Sequence, residues 1–190
     1  MTHSIPLNLS QYIQKFENAC STTLLKAIND IMYKEEMIDA ETIGGVNLKH
    51  RNAKLLALND YTIGTSVAKR IIYNDLVRLI KQTEYLYLQK VNNPWYSAKE
   101  VTIEFLKYDS KTKGHFNWHT DAYDAAPRQL TMLLGLNDAY TGGTLKVLND
   151  NISFKLKTNE LICFPSNFMF PHTVEPVETG VRKVAIFWTL

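Results

Sequence analysis

The chain is poor in the residues that would staple it, hold zinc or bind polyanions. Only two cysteines, Cys20 and Cys163, occur in 190 residues, and they form no C-x-x-C or other zinc-ligand spacing. Both sit in apolar surroundings. Two buried free thiols are therefore expected rather than a bridge, and with them a reducing compartment. The formal net charge is only +2, too small to argue for nucleic acid or a membrane surface as partner. No apolar run approaches membrane-spanning length, and residues 1–10 lack the charged start and apolar block of a signal peptide. The expected location is cytoplasmic. No repeat, linker or low-complexity stretch interrupts the chain.

What is present is ordinary in bulk and patterned in detail. Hydrophobic content of 45% and charged content of 21% suit one globular domain with a core large enough to need no disulfide. The patterning divides it into a helical part, 1–98, and a β-rich part, 99–190. Residues 1–8 are a loose lead-in. Ser10 is placed to cap a short helix with Leu9, Ile13, Phe16 and Cys20 on one face, and Ser21 to cap a second bearing Leu24, Ile28 and Ile31. Residues 34–63 read as irregular, with Gly44-Gly45 as a turn, and carry no recognisable chemistry. Thr65-Ser66 opens the longest helix, to about Val91. Its apolar stripe is Ala68, Ile72, Leu76, Leu79, Thr83 and Leu86, and Lys69, Arg70, Arg78 and Lys81 form a solvated face.

From residue 100 the period changes to two. Eight short strands are expected: 101–108, 115–119, 130–136, 144–148, 152–156, 161–164, 173–177 and 182–190. Turn signals at Gly142-Gly143 and Asn149–Asn151 separate some of them. That pattern predicts a double sheet of jelly-roll type with helices packed on one sheet, an α+β class with a mainly β core.

The chemistry concentrates at three places in this second half. His119 and Asp121 stand two apart at a strand end, where positions i and i+2 share a side. An imidazole beside a carboxylate suits a divalent ion of intermediate hardness such as Fe(II). Alone, the triplet is common and could be a polar strand end. His172 follows two aromatics and a proline at the start of another strand. Arg182 opens the last strand on the same face as Val184, Ile186 and Trp188. An arginine on an apolar inward face needs an anionic partner, because burying it unpaired is costly.

Taken together these residues resemble the Fe(II)- and 2-oxoglutarate-dependent dioxygenases, in their prolyl 4-hydroxylase-like branch. That pattern is His-x-Asp, a distal His, then Arg or Lys about ten residues on. It is matched at His119, Asp121, His172 and Arg182, with further likeness at Tyr108, Leu136-Asn137, Gly142-Gly143, the run from His172 to Arg182, and Trp188. The match covers roughly residues 100–190.

The resemblance implies a double-stranded β-helix. It also implies Fe(II) held by His119, Asp121 and His172, and 2-oxoglutarate chelating that iron with its distal carboxylate on Arg182. Tyr108 and Thr131 would assist there, and Trp188 would belong to the cosubstrate site. O2 is the oxidant, ascorbate a possible stimulant, and the product a hydroxylated C–H bond with succinate and CO2 released. One departure is Gly135, where several hydroxylases of the branch carry an aromatic residue; a glycine would leave that space open.

The branch points to a prolyl residue in a protein or peptide, with a small molecule such as a free amino acid as the competing substrate. No interleaved basic and aromatic patch suggests nucleic acid. A non-catalytic jelly-roll binding protein would be expected to have lost a ligand or the arginine, and a cupin-type enzyme would leave Arg182 without purpose. Loops 109–114 and 122–128 are placed to flank the mouth. Tyr123 and Arg128 are candidate substrate contacts there, although a plain surface-loop role is the simpler assignment.

Overall fold

A computed structural model describes residues 8–122 and 127–190. The helix expected from Ser10 is replaced by one 3-10 turn, Leu9–Tyr12, capped by the Asn8 side chain, and a short strand, β1 (Gln14–Phe16). The apolar spacing fits a helix, but extension lets the backbone of Gln14 to Phe16 pair with residues 161–163 at a sheet edge. Ser21 does cap α1 (Thr22–Lys34), accepting from the Leu24 N–H, and Leu24, Ile28 and Ile31 are buried with Met32.

Residues 34–63 are more ordered than their composition suggests. They hold β2 (Ile38–Asp39), β3 (Arg51–Asn52), β4 (Lys54–Ala57) and α2 (Asp60–Ile63). Strands of two to four residues are too short to display a period, and their stability comes from neighbours far along the chain. The N-terminal part is thus not purely helical.

Ser66 caps α3 (Val67–Lys90). Ile72, Leu76, Leu79 and Thr83 are buried as expected, together with Ile80, Glu84, Tyr87 and Leu88. Leu86 is exposed instead, and Tyr87 takes the inward position, its hydroxyl donating to the Tyr12 carbonyl. Nor is the basic face simply solvated. Lys69 reaches Glu35 and the Thr62 carbonyl, and Lys81 donates to Glu84 and to the Ala98 carbonyl. Glu84 in turn accepts the Ala98 N–H at 2.8 Å. These bonds fix the turn from α3 into the sheet.

The remaining strands are β5 (Val101–Asp109), β6 (His115–His119), β7 (Leu130–Gly135), β8 (Tyr140–Gly142), β9 (Leu145–Val147), β10 (Ile152–Phe154), β11 (Leu161–Pro165), β12 (His172–Val174) and β13 (Val177–Thr189). Eight were expected here; β8 is the addition, and β13 starts five residues earlier than expected. Two antiparallel sheets result. The larger runs β1-β11-β7-β13-β5-β4-β2 with β8 paired to β13, and the smaller runs β10-β9-β12-β6-β3.

The central strands β5, β7 and β13 of the larger sheet split their side chains between two cores. Ile103, Phe105, Met132, Leu134, Ala185 and Phe187 pack under α1 and α3. Leu106, Tyr108, Leu133, Val184, Ile186 and Trp188 face the smaller sheet. Asn137 continues the β7–β13 ladder past its end, donating to the Val181 carbonyl and accepting the Lys183 N–H. Gly143 (φ +61) permits the reversal after β8, and a Cβ there would lie 3.0 Å from Arg182 Cδ. The double sheet with helices on one face is the expected architecture, and it puts the inner side of β5, β7 and β13 opposite β6 and β12.

Candidate active site

Register brings the two key histidines together. His172 opens β12 directly across from His119, the last residue of β6, and their ring centroids are 4.2 Å apart. Asp121 follows two residues beyond His119, still extended and buried at 5% exposure. Ligand atoms of His119, Asp121 and His172 all lie within 4.8 Å of one another.

Each imidazole is held by its far nitrogen. His119 Nδ1 is 2.8 Å from the Asn117 carbonyl and His172 Nδ1 is 3.1 Å from the Phe170 carbonyl. A carbonyl can only accept, so each Nδ1 carries a proton and each Nε2 is the nitrogen turned to the carboxylate. These Nε2 atoms face the carboxylate at 3.8 Å from Oδ1 and 3.5 Å from Oδ2. Those separations are too long for good hydrogen bonds, and they suit three ligand atoms arranged about one ion. Burial and the neighbouring His172 drive His119 down to about pKa 3, so it is neutral near pH 7, as a ligand must be. Burial alone would raise the Asp121 carboxyl. His172, His119 and donated hydrogen bonds from Trp188 and Thr131 outweigh it and hold the group below its usual range.

The carboxylate is oriented by a polar trio. Asp121 Oδ2 accepts the Thr131 hydroxyl at 2.7 Å and the Trp188 indole N–H at 3.0 Å. Thr131 also bonds Ser166 Oγ at 2.8 Å. This places Thr131 and Trp188 differently from the sequence expectation. Thr131 pairs with Trp188 across β7 and β13, whereas Arg182 pairs with Tyr108 across β5 and β13. Six residues of strand separate the two ends, about 20 Å. Thr131 therefore does not assist Arg182; it and Trp188 fix Asp121.

Arg182 is 1% exposed, and neither terminal nitrogen has a hydrogen-bond partner among the described residues. Its guanidinium lies 5.1 Å from the Tyr108 ring centroid. A buried cation without an anion fits a site for a ligand carboxylate. A cavity of about 660 Å³ runs from the histidines towards this end, lined there by Leu106, Tyr108, Leu133 and Leu145. Arg182 lies behind Tyr108 and outside the lining itself. The space beside Gly135 is filled rather than open: a Cβ there would come within 2.2 Å of the Lys157 carbonyl oxygen, with Leu156 next to it. The glycine is needed for that close backbone approach.

At the other end the lining includes residues that the sequence reading passed over. Ile38, Thr42, Ile43, Arg51, Glu104 and Phe116 all contribute. Phe116 stacks on His119 with centroids 3.5 Å apart, and Arg51 lies 4.8 Å over the Phe116 ring. Glu104 had a legible signal, since it shares the inward side of β5 with Leu106 and Tyr108, as Arg182 does on β13. Residues 38–51 had none. The expectation for 109–114 is not met, because none of those residues lines the cavity. Arg128 does line it, 3.7 Å from the Trp188 ring centroid, while Tyr123 lies outside the described residues. Cys20 and Cys163 are free thiols; Cys163 is buried and Cys20 half-buried.

Residues 103–190 match the 2OG-Fe(II) oxygenase superfamily. The chain is 24% identical over 174 residues to a PKHD-type hydroxylase of Gloeothece citriformis, covering 86% of this chain and 71% of that one. It is 34% identical over 127 residues to a PKHD-type hydroxylase of Thermosynechococcus vestitus, covering 64% of this chain and only 53% of that relative. Its fold resembles a Trichoplax adhaerens prolyl hydroxylase solved with a hypoxia inducible factor peptide fragment. There the TM-score is 0.75 at 16% identity, over 95% of this chain and 84% of that one. A Pseudomonas putida prolyl-4-hydroxylase gives a TM-score of 0.69 at 16% identity, over 94% and 92% of the two chains.

Proposed function

Proceeding from residues 103–190 as a 2OG-Fe(II) oxygenase domain, we propose that this chain hydroxylates a C–H bond of a prolyl residue in a protein or peptide. The observation that carries the oxygenase reading is the pairing of a His-Asp-His cluster with one buried arginine, unpartnered among the described residues, between the same two sheets. His119, Asp121 and His172 would hold Fe(II), and Arg182 would receive the distal carboxylate of 2-oxoglutarate. Fe(II), 2-oxoglutarate and O2 together supply the oxidising chemistry that puts oxygen into the C–H bond, with succinate and CO2 as coproducts.

The chain's own residues supply placement and dryness. Two backbone carbonyls hold the imidazole protons away from the metal face, which keeps both Nε2 atoms available. Thr131 and Trp188 occupy Oδ2 of Asp121, leaving Oδ1 as the carboxylate's open donor. That is the outer support a metal-binding carboxylate needs. Leu106, Leu133, Leu145 and Ile186 exclude water from the cavity's inner walls. The prolyl part is supported by the names of the hydroxylases that the fold resembles. A free amino acid remains the rival substrate.

The test is succinate formation by purified protein with Fe(II), ascorbate and 2-oxoglutarate in air, with and without proline-containing peptides. Iron-dependent succinate that is absent in His172→Ala establishes the oxygenase, and peptides gaining one oxygen establish the prolyl substrate. No binding of iron or 2-oxoglutarate would point to a non-catalytic jelly roll.

A further inference from the structure

Among the described residues, five buried side-chain polar atoms lack a hydrogen-bond partner: both terminal nitrogens of Arg182, Arg51 Nε, Glu104 Oε2 and Thr102 Oγ1. Buried polar groups left unpaired are rare and costly. Apart from Thr102 Oγ1, they fall into two sets. Arg182 serves the cosubstrate in the reading above. Arg51 and Glu104 line the cavity at the opposite end, beside the metal cluster. Arg51 lies over Phe116, which stacks on His119, so this second set adjoins a proposed metal ligand.

We propose that Arg51 and Glu104 form a clamp for the backbone of one extended residue of the peptide substrate. That residue's C=O would accept from Arg51 Nε, and its own N–H, on the same side of the extended chain, would donate to Glu104 Oε2. The inference rests on the oxygenase reading and names the group by which its substrate is held.

A count of free positions selects a peptide backbone over a zwitterion. Arg51 has spent one terminal nitrogen on the Glu41 carbonyl at 2.9 Å, and the other faces Glu104 Oε2 at 4.0 Å. That leaves Nε as the one buried nitrogen with no acceptor, where a carboxylate would call for a fork of two nitrogens. Glu104 is already balanced by Arg51. Burial also pushes its carboxyl upward against the opposing pull of Arg51 and Arg128, which makes it a poor seat for an ammonium. One donor and one acceptor on the same wall match the C=O and N–H of one extended residue, which point to the same side. An extended chain can enter there, since Ile43 lines the cavity while 85% exposed.

The test uses Mn(II)-loaded protein, with peptide and 2-oxoglutarate binding read separately. The peptide probe is a fluorescent, end-capped Ala–Pro–Ala repeat, read by anisotropy, with free L-proline as competitor. The clamp predicts peptide binding that weakens about tenfold or more in Glu104→Ala, the loss expected for one hydrogen bond to a charged group. Glu104→Gln, which keeps a carbonyl acceptor, should lose less. Arg51→Lys, without Nε, should weaken peptide binding while a thermal melt verifies its fold. The 2-oxoglutarate dissociation constant should stay within about twofold throughout.

Equal peptide affinity in wild type and Glu104→Ala overturns the clamp. So does absence of peptide binding by the wild type, or displacement of the peptide by free L-proline at matching concentration. Failure of the wild type to bind 2-oxoglutarate would instead sink the oxygenase reading, and the peptide arm would still decide the clamp.

Discussion

At the scale of single residues, the site depends on what holds its ligands as much as on the ligands. Trp188→Phe keeps an aromatic ring and deletes only the indole N–H on Asp121. Removing such outer support commonly costs 10–100-fold in metal affinity. A Mn(II) titration of the variant should show a weakened dissociation constant of that order, with a melting temperature near that of the wild type. An unchanged constant would make the bond incidental. Gly135→Ala belongs to another class. Its Cβ would overlap the Lys157 carbonyl, and backbone cannot yield as a side-chain tip can. A loss of stability of about 1–3 kcal/mol is expected, as for other overpacked positions, measurable by denaturant midpoint.

The residues also set a pH dependence for the metal-free chain. His119 is neutral when folded, with its pKa at about 3, against 6.5 ordinarily. Above 6.5 both folded and unfolded forms are neutral and nothing changes. Below it, the unfolded chain takes up a proton that the folded site refuses, so stability falls as pH drops from about 6.5 towards 3. The slope from this one group is at most about 1.4 kcal/mol per pH unit. Asp121, depressed in the folded state, adds a loss below its ordinary 3.8. Urea melts of metal-free protein between pH 4 and 8 should show the slope, and His119→Asn should flatten it.

At the scale of elements, local period and distant pairing decided what could be read in advance. The α1 helix was legible because Ser21 caps it and its apolar spacing is regular. β5, β6, β7, β11 and β13 were legible because each is long enough to alternate. β1 to β4 were not, since two to four residues carry no period and β1, β3 and β4 pair with the distant β11, β6 and β5, β2 in turn with β4. The same limit hid the 38–51 wall of the cavity. Within α3, the stripe was right from Ile72 to Thr83, missed at the exposed Ala68 and slipped from Leu86 to Tyr87, where helix geometry over 24 residues drifts from a fixed spacing. Leu76 is fully buried in that stripe. Leu76→Ala should cost about 2–5 kcal/mol, read by thermal or urea unfolding, without altering the metal affinity of a site on the other face of the sheet.

For the whole molecule, the larger sheet is a partition. Its outer face packs on α1 and α3, and its inner face carries Arg182, Tyr108, Leu133, Glu104 and Trp188 towards β6 and β12. The four residues of the motif were proposed in sequence from the spacing of His119 and Asp121, the aromatic and proline run before His172, the apolar face around Arg182 and their joint likeness to a family pattern. Their supporters were misassigned, because whether Thr131 serves Arg182 or Asp121 depends on strand register, which the linear sequence does not display.

The central claim is that His119, Asp121 and His172 form one metal site coupled to an arginine-held carboxylate. An anaerobic titration of Fe(II), then 2-oxoglutarate, into wild type, His172→Ala and Arg182→Ala tests it directly. Wild type should bind one iron and then 2-oxoglutarate. His172→Ala should lose the iron, and Arg182→Ala should keep iron while binding 2-oxoglutarate at least about tenfold more weakly, as loss of a charged pair requires. Iron binding undiminished in His172→Ala, or 2-oxoglutarate affinity unchanged in Arg182→Ala, would contradict the account.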